Sequence, residues 1–168
     1  MKKHILFIIE NRAVPYDSRV WFEALATKKW GFDVSVISPK EAGADSPYEN
    51  LEGIDIYRHP LFVNTKGKLG YVLEYASAFF WELLLSIFIY FKKPFHIIHA
   101  GNPPDTIYFV GLFFKIFRVK FIFDHHDLSP ELFCEKFKGQ KNIVYRILVL
   151  CEKLSCKLAD VVISTNES

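Results

Sequence analysis

The sequence predicts an α/β protein with a doubly wound, mostly parallel sheet that is covered by helices on both faces. Short runs rich in β-branched and aromatic residues alternate with longer segments of helical periodicity. Several of the short runs are apolar throughout, which is typical of strands that are buried on both faces. The chain has 168 residues, the length of one ordinary domain. We therefore expect a single domain over residues 1–168.

The strands follow from the apolar runs, and the helices follow from the periodic segments between them. Six strands are predicted at His4–Glu10, Asp33–Ser38, Ile54–Arg58, His96–His99, Lys120–Asp124 and Val161–Ser164. Four helices are predicted at Ser18–Trp30, Leu69–Phe91, Asp105–Phe117 and Asn142–Leu158. A crossover helix between successive strands implies parallel pairing and right-handed connections. The segment from Ser38 to Gly53, with its prolines and glycines, is predicted to be a long loop.

The first and last helices have the clearest sequence signals. Asp17 or Ser18 is suited to cap the first helix, and Gly31 lies just past its end. Its buried face is predicted from four apolar residues at helical spacing: Val20, Trp21, Ala24 and Leu25. The buried face of the last helix is predicted from six: Ile143, Ile147, Leu150, Cys151, Leu154 and Leu158.

The segment from Tyr71 to Phe91 is long and apolar nearly all round. Glu74 and Glu82 interrupt it, and because a carboxylate near the middle of a bilayer costs a few kcal/mol, a membrane span is not expected. One face should pack on the sheet, and the other needs a partner. That partner is a neighbouring loop, another subunit, or a membrane surface. In the last case the head groups would lie near four lysines: Lys66, Lys68, Lys92 and Lys93.

Composition excludes several classes of function. The net charge is only +2, and no basic stripe or recognition motif accompanies it, so nucleic-acid binding is not expected. The three cysteines form no CxxC pair, which favours a reducing compartment, and we expect a cytoplasmic protein. The first glycine is Gly31. A glycine-rich phosphate loop after the first strand is therefore absent, and no cofactor is expected.

Candidate site residues lie just after the predicted strands, where ligands bind in open parallel sheets. The clusters are Ala100–Asp105, Asp124–Glu131 and the Asn11–Asp17 loop, with Arg19 in the helix behind that loop. The Asp-His-His-Asp run that begins at Asp124 suits a metal site, an acid/base pair or a clamp for sugar hydroxyls. Adjacent residues on a strand point to opposite sides, so no metal is expected, and hydrogen bonding to a polar substrate is favoured. Alternatively, Asp127 or Ser129 simply caps a following helix.

Several blocks of this sequence, taken in order, match a known enzyme family. They are Asp17–Val20, Glu23–Leu25, Gly31–Val34, His99–Asp105, Asp124–Glu131 and Ala159–Ser164. In these blocks the chain resembles the retaining glycosyltransferases of family four, which have the two-domain GT-B fold. The resemblance implies a Rossmann-like N-terminal domain that binds the acceptor. It also implies a C-terminal domain, absent from this chain, that binds the nucleotide sugar as co-substrate.

The resemblance also implies roles for individual residues. His126 would be the catalytic residue that faces the donor sugar, with His125 the weaker candidate. The donor or acceptor cleft would be lined by nine residues: Asn11, Arg12, Arg19, Gly101, Asn102, Asp105, His125, Asp127 and Glu131. One departure is that the residues from Asn11 to Pro15 replace the glycine pair that many members carry after the first strand.

The function expected from this resemblance is sugar transfer to a glycan or polyprenyl-linked acceptor in cell-surface polysaccharide synthesis. The chain ends just after a predicted strand, so we interpret it as part of a longer protein or of a naturally split enzyme. By itself it is expected to lack turnover. One alternative is a non-catalytic membrane-docking subunit on the inner face of the membrane. Another is a GT-B-like sugar epimerase.

Overall fold

The computed structural model describes residues 2–60, 67–103, 105–127, 129–137, 139 and 141–164; within these, the side chains at 67–72, 74, 75, 105 and 136 are not described. Seven strands are present: β1 His4–Ile8, β2 Asp33–Pro39, β3 Tyr48–Leu51, β4 Ile54–His59, β5 Ile97–Gly101, β6 Lys120–His125 and β7 Val161–Ser164. They form one sheet in the order β3-β4-β2-β1-β5-β6-β7, and all neighbours except β3 and β4 are parallel. The predicted fold class is confirmed.

Among the described residues, five helices lie between strands along the chain. They are α1 Ser18–Lys29, α2 Gly67–Lys92, α3 Tyr108–Lys115, α4 Ser129–Lys136 and α5 Ile143–Leu158, with a 3₁₀ turn at Asp105–Ile107. The four predicted helices are present, although the third is divided between the 3₁₀ turn and α3. The helix α4 follows β6 at the position where a capped helix was the alternative interpretation.

The prediction that the whole segment from Ser38 to Gly53 is a loop was wrong, because it contains β3. This strand pairs antiparallel with β4. The two-residue turn between them has φ angles of 51° at Glu52 and 71° at Gly53. Positive φ at both central residues is the geometry of the tight hairpin turns that match strand twist. The strand escaped prediction because it is a short edge strand with only two apolar residues, Tyr48 and Leu51.

Side chains from β1 reach the cores on both faces of the sheet, which explains its unbroken apolar run. Leu6 and Ile8 face the core beneath α2, α3 and α5. Ile5 and Phe7 face the second core, beneath α1. This alternation places β1 at the centre of a three-layer α/β/α domain.

The predicted cap, end and buried face of α1 are confirmed. Asp17 caps the helix by accepting a hydrogen bond from the backbone nitrogen of Val20 at 3.0 Å. Gly31 has a φ of 93° just past the helix end. Val20 and Ala24 are buried, while Trp21 and Leu25 pack against the same core from partly exposed positions.

The predicted buried face of α5 was only partly right. The helix buries Leu148, Cys151 and Ser155, and Leu154 and Leu158 pack at the margin of the core. Three predicted residues are exposed instead: Ile143, Ile147 and Leu150. Apolar residues lie on more than one side of α5, so spacing alone could not tell which side meets the sheet.

Some sequence predictions fall outside the described residues, namely Lys66 and the side chains of Lys68 and Glu74. Within the described part of the chain, no helix combines the length and hydropathy needed to cross a bilayer.

Candidate functional site

The candidate site lies where β1, β5 and β6 end side by side at the carboxyl edge of the sheet. Asn102, which follows β5, is buried and organises the turn after β6. Its Oδ1 accepts hydrogen bonds from the backbone nitrogens of His126 at 3.0 Å and Asp127 at 3.1 Å. Its amide nitrogen donates to the carbonyl oxygen of Asp127. One side chain thus fixes the backbone that carries His126.

The loop after β1 joins the same group. The amide nitrogen of Asn11 donates to a carboxylate oxygen of Asp127 at 3.1 Å. Three loops that are distant in sequence therefore meet in one hydrogen-bonded cluster. The structure brings together three of the predicted cleft residues, Asn11, Asn102 and Asp127, with the predicted catalytic residue, His126.

The imidazole of His126 contacts Asp124 and packs against Gly101. Its Nδ1 lies 3.3 Å from the carbonyl oxygen of Asp124 and 3.6 Å from a carboxylate oxygen of the same residue. A Cβ at Gly101 would lie 3.0 Å from His126 Cε1. Any residue other than glycine at position 101 would therefore force the ring to shift. The Asp124 carboxylate raises the pKa of His126, and this effect outweighs burial, which acts in the opposite direction. The raised pKa favours the imidazolium form.

Asp124 itself is held by Arg19. One terminal nitrogen of the guanidinium lies 2.6 Å from each carboxylate oxygen. The Nε of Arg19 donates to Glu23 at 3.3 Å, one helical turn along α1. Burial works to raise the pKa of Asp124, but the contact with His126 and the charge of Arg19 outweigh it and hold that pKa below its usual range. Asp124 is therefore an anion beneath the site.

His99 and Glu23 complete a layer of polar side chains beneath the site. The Nε2 of His99 lies 3.9 Å from carboxylate oxygens of both Glu23 and Asp124. Burial lowers the pKa of His99 to about 4, so this ring is neutral near pH 7. Burial, and then the charge of Asp124, raises the pKa of Glu23.

Three of these residues could act as metal ligands. Glu23, His99 and Asp124 each offer a ligand atom, and these atoms lie within 4.8 Å of one another. The guanidinium of Arg19 already contacts both carboxylates and supplies the positive charge there. A metal ion would have to displace it. The geometry is that of an ion-pair network that supports His126.

Sequence reasoning missed Glu23 and His99 as parts of this network. The i, i+4 spacing of Arg19 and Glu23 at the start of α1 was the available signal. Nothing in the sequence joins that pair to Asp124, which lies 105 positions after Arg19.

Three predicted cleft residues, His125, Arg12 and Glu131, stand apart from the cluster, and the side chain of a fourth, Asp105, is not described. His125 turns to the other side of the sheet, where its Nε2 lies 3.3 Å from a Glu152 carboxylate oxygen. Arg12 pairs with Glu41 at 3.6 Å. Glu131 is exposed on α4. Asp105 begins the 3₁₀ turn after β5, and its side chain is not described.

Comparison with known proteins identifies a similar fold. No protein-family model matches the chain. No curated protein matches it in sequence. Among solved structures, sucrose-phosphate synthase from Thermosynechococcus elongatus is similar, with a TM-score of 0.69 and 15% identity over 96% of this chain and 42% of that one. The chain thus spans 42% of the length of that structure. The likeness shows that this chain has the fold of a Rossmann-like GT-B half domain.

Proposed function

We propose that this chain is the acceptor-side domain of a glycosyltransferase. The enzyme would transfer a sugar from a nucleotide-sugar donor, with retention, to a glycan or polyprenyl-linked acceptor in cell-surface polysaccharide synthesis. The observation that carries the proposal is His126, held by Asn102 and Asp124 at the carboxyl edge of the sheet. The fold, shared with half of a sucrose-phosphate synthase, supports it.

The chemistry proposed for His126 follows from its contacts. Its Nδ1 is engaged by Asp124. Its Nε2 has no hydrogen-bond partner among the residues that the structure describes, so it is available to donate to a hydroxyl of the transferred sugar. In retaining transfer the leaving diphosphate and the sugar ring develop opposite charges. A fixed imidazolium with its counter-ion beneath it can orient the sugar without reorganising during the reaction.

The donor nucleotide would be bound by a second domain that faces this edge. The described loop after β1 has no glycine-rich turn for a pyrophosphate, and in it Asn11 and Arg12 instead pair with Asp127 and Glu41. Within this proposal, the 168-residue chain binds acceptor through the loops after β1 and β5, and it does not turn over alone.

The test is a transfer assay on the full-length protein beside the 168-residue chain, with a panel of nucleotide sugars and polyprenyl-linked acceptors. We expect His126→Ala to lower turnover by about 10²-fold or more, because a positioned acid or charge contributes on that scale. His125→Ala is the matched control, since this neighbouring histidine contacts Glu152 on the other side of the sheet. Equal activity of His126→Ala and wild type would show that His126 is not part of the active site.

The same assay separates the rival functions. A sugar epimerase would change the donor in reactions without acceptor. A non-catalytic docking subunit would give no transfer and no donor hydrolysis in the full-length protein. The apolar outward sides of α2 and α3 are the observation that keeps this second candidate open.

A further inference from the structure

The outward faces of α2 and α3 form one apolar surface on the side of the domain away from the sheet. We define this α2–α3 surface by six exposed side chains: Phe80, Leu84 and Phe91 on α2, Phe109 and Leu112 on α3, and Ile116 directly after α3. Their exposed fractions run from 42% to 82%. Both helices bury their opposite faces in the core, at Ala78 and Ile89 on α2 and at Val110 and Phe114 on α3. The exposed residues are therefore a second face, as the near-continuous apolar sequence predicts.

The exposed side chains of the two helices form a continuous surface because α3 packs against α2 between Phe79 and Tyr90. The rings of Phe79 and Phe109 lie 5.9 Å apart near one end of the seam. Those of Tyr90 and Phe117 lie 5.3 Å apart near the other. Together these six large side chains present roughly 700 Å² of apolar area, more than the largest patch of a typical soluble monomer.

Basic side chains are clustered at one end of this surface. Both helices end at the amino edge of the sheet, where Lys93 contacts Asp33 at the start of β2 and Lys120 begins β6. A surface cavity of about 400 Å³ there is lined by Lys115, Arg118, Val119, Lys120 and Asp160. Asp160 pairs with Lys115 at 3.5 Å and Lys120 at 2.9 Å. The lining thus holds three cations and one carboxylate, so the cavity carries a net positive charge.

The two most exposed residues of the α2–α3 surface adjoin these cations. Phe91 is 82% exposed and directly precedes Lys92 and Lys93, and Ile116 is 77% exposed between Lys115 and Arg118. Apolar tips flanked by Lys and Arg are the chemistry of helices that bind at a bilayer interface, with the apolar groups among the acyl chains and the cations among the head groups.

We propose that the α2–α3 surface docks on a membrane that contains anionic phospholipids, and that the basic cavity takes a lipid phosphate. The positive charge beside the surface favours an anionic membrane over a second copy of the chain as its partner. The one acidic side chain in residues 80–92 and 108–115 is Glu82, which is buried, so a second copy would bring no negative charge from the two faces. An anionic bilayer supplies both the apolar interior and the charge.

Docking in this way leaves the candidate site accessible. His126 and Asn102 lie at the carboxyl edge of the sheet, whereas the basic cavity lies at the amino edge, beside the start of β6. The membrane proposal rests on neither residue. Its test needs only the 168-residue chain and no enzymatic activity, so it can fail while the proposed function stands, and the reverse also holds.

The test is co-sedimentation of the chain with vesicles of phosphatidylcholine alone and vesicles that also contain phosphatidylglycerol. Phe91→Ser with Ile116→Ser removes the two most exposed apolar tips of the surface. Phe22→Ser with Trp30→Ser is the matched control, because these residues are 66% and 79% exposed at α1, which packs on the other face of the sheet. A third variant, Arg118→Asn with Lys120→Gln, removes two cations; asparagine tolerates the positive φ of 61° at position 118.

We expect the chain to bind the anionic vesicles, and we expect this binding to weaken with added salt. The Arg118 and Lys120 variant should bind about fivefold more weakly for each cation removed. The Phe91 and Ile116 variant should lose at least tenfold, and the α1 control should bind like wild type. Equal binding to both vesicle types would overturn the role of the basic cavity. Absence of binding, equal loss in the α1 control, or a dimer in sedimentation equilibrium that Phe91→Ser with Ile116→Ser abolishes would overturn the membrane proposal.

Discussion

Glu82 lies on the inner side of α2 with a fully buried carboxyl group. Neither of its carboxylate oxygens has a hydrogen-bond partner among the described residues, and neither has the hydroxyl of Ser86, one helical turn further on. Burial raises the pKa of Glu82 to about 8, because a charge at this position loses its hydration and gains no partner. At neutral pH the folded protein therefore keeps this side chain protonated.

The effect on stability follows from the difference between the folded and unfolded pKa values. The folded value is about 8 and the ordinary value is 4.5, so the folded state binds the proton more tightly. The free energy of unfolding therefore falls as pH rises between these two values, by up to about 1.4 kcal/mol per pH unit. Over the whole window the loss from Glu82 is about 5 kcal/mol, a large part of the stability of an ordinary domain.

The assay is urea unfolding, followed by tryptophan fluorescence across this pH window, for wild type, Glu82→Gln and Glu82→Leu. Neither variant can ionise at this position, so each should lose the part of the pH slope that comes from Glu82 and exceed wild type in stability near pH 8. Glu135→Gln on the exposed side of α4 is the control for removing a surface carboxylate. Parallel pH profiles for wild type and Glu82→Leu would refute the reasoning.

Three further predictions concern the site and the packing beneath it. Asp124→Asn should lower the pKa of His126, measured by NMR titration of the ring, and move the alkaline limb of the pH–activity profile of the complete enzyme to lower pH; an unchanged pKa would remove Asp124 as the cause. Gly101→Ala should reduce transfer while leaving the urea midpoint nearly unchanged, because the new Cβ would lie 3.0 Å from His126 Cε1, and full activity would show that the ring moves freely. Gly111→Ala should destabilise the fold by about 1–3 kcal/mol despite a better helix propensity, because its Cβ would lie 2.7 Å from the Phe121 ring; a raised urea midpoint would contradict this.

The main architecture could be predicted because the central strands are marked locally. The run from Ile5 to Ile8 is apolar because its side chains are buried on both faces of the sheet. By contrast, β3 consists of four residues at the sheet edge and depends on a turn with positive φ at Glu52, which residue type alone does not suggest. The side of α5 that meets the core was set by its packing, since Ile147 and Leu148 have similar hydropathy and only Leu148 is buried.

The candidate site was predicted in outline but not in its connections. The grouping of its loops at the carboxyl edge follows from strand order, whereas the role expected for His126 came from the family resemblance and stays a prediction. The contact of Asn102 with His126 depends on the register in which Gly101 pairs with Asp124. The contact of Arg19 with Asp124 joins a helix and a strand 105 positions apart. Such pairings are set by the assembled sheet, so no local pattern specifies them.

The central position of β1 has a consequence for synthesis of the protein. Its partner on one side, β2, follows closely, but Ile5 also pairs with Ile97 in β5. At about 5–20 residues per second, those roughly 90 residues mean that one edge of β1, which is apolar from Ile5 to Ile8, stays unpaired for about 5–20 s. An unpaired apolar edge is a template for aggregation and for chaperone binding. We therefore expect the yield of folded protein in cells to respond to chaperone supply during translation.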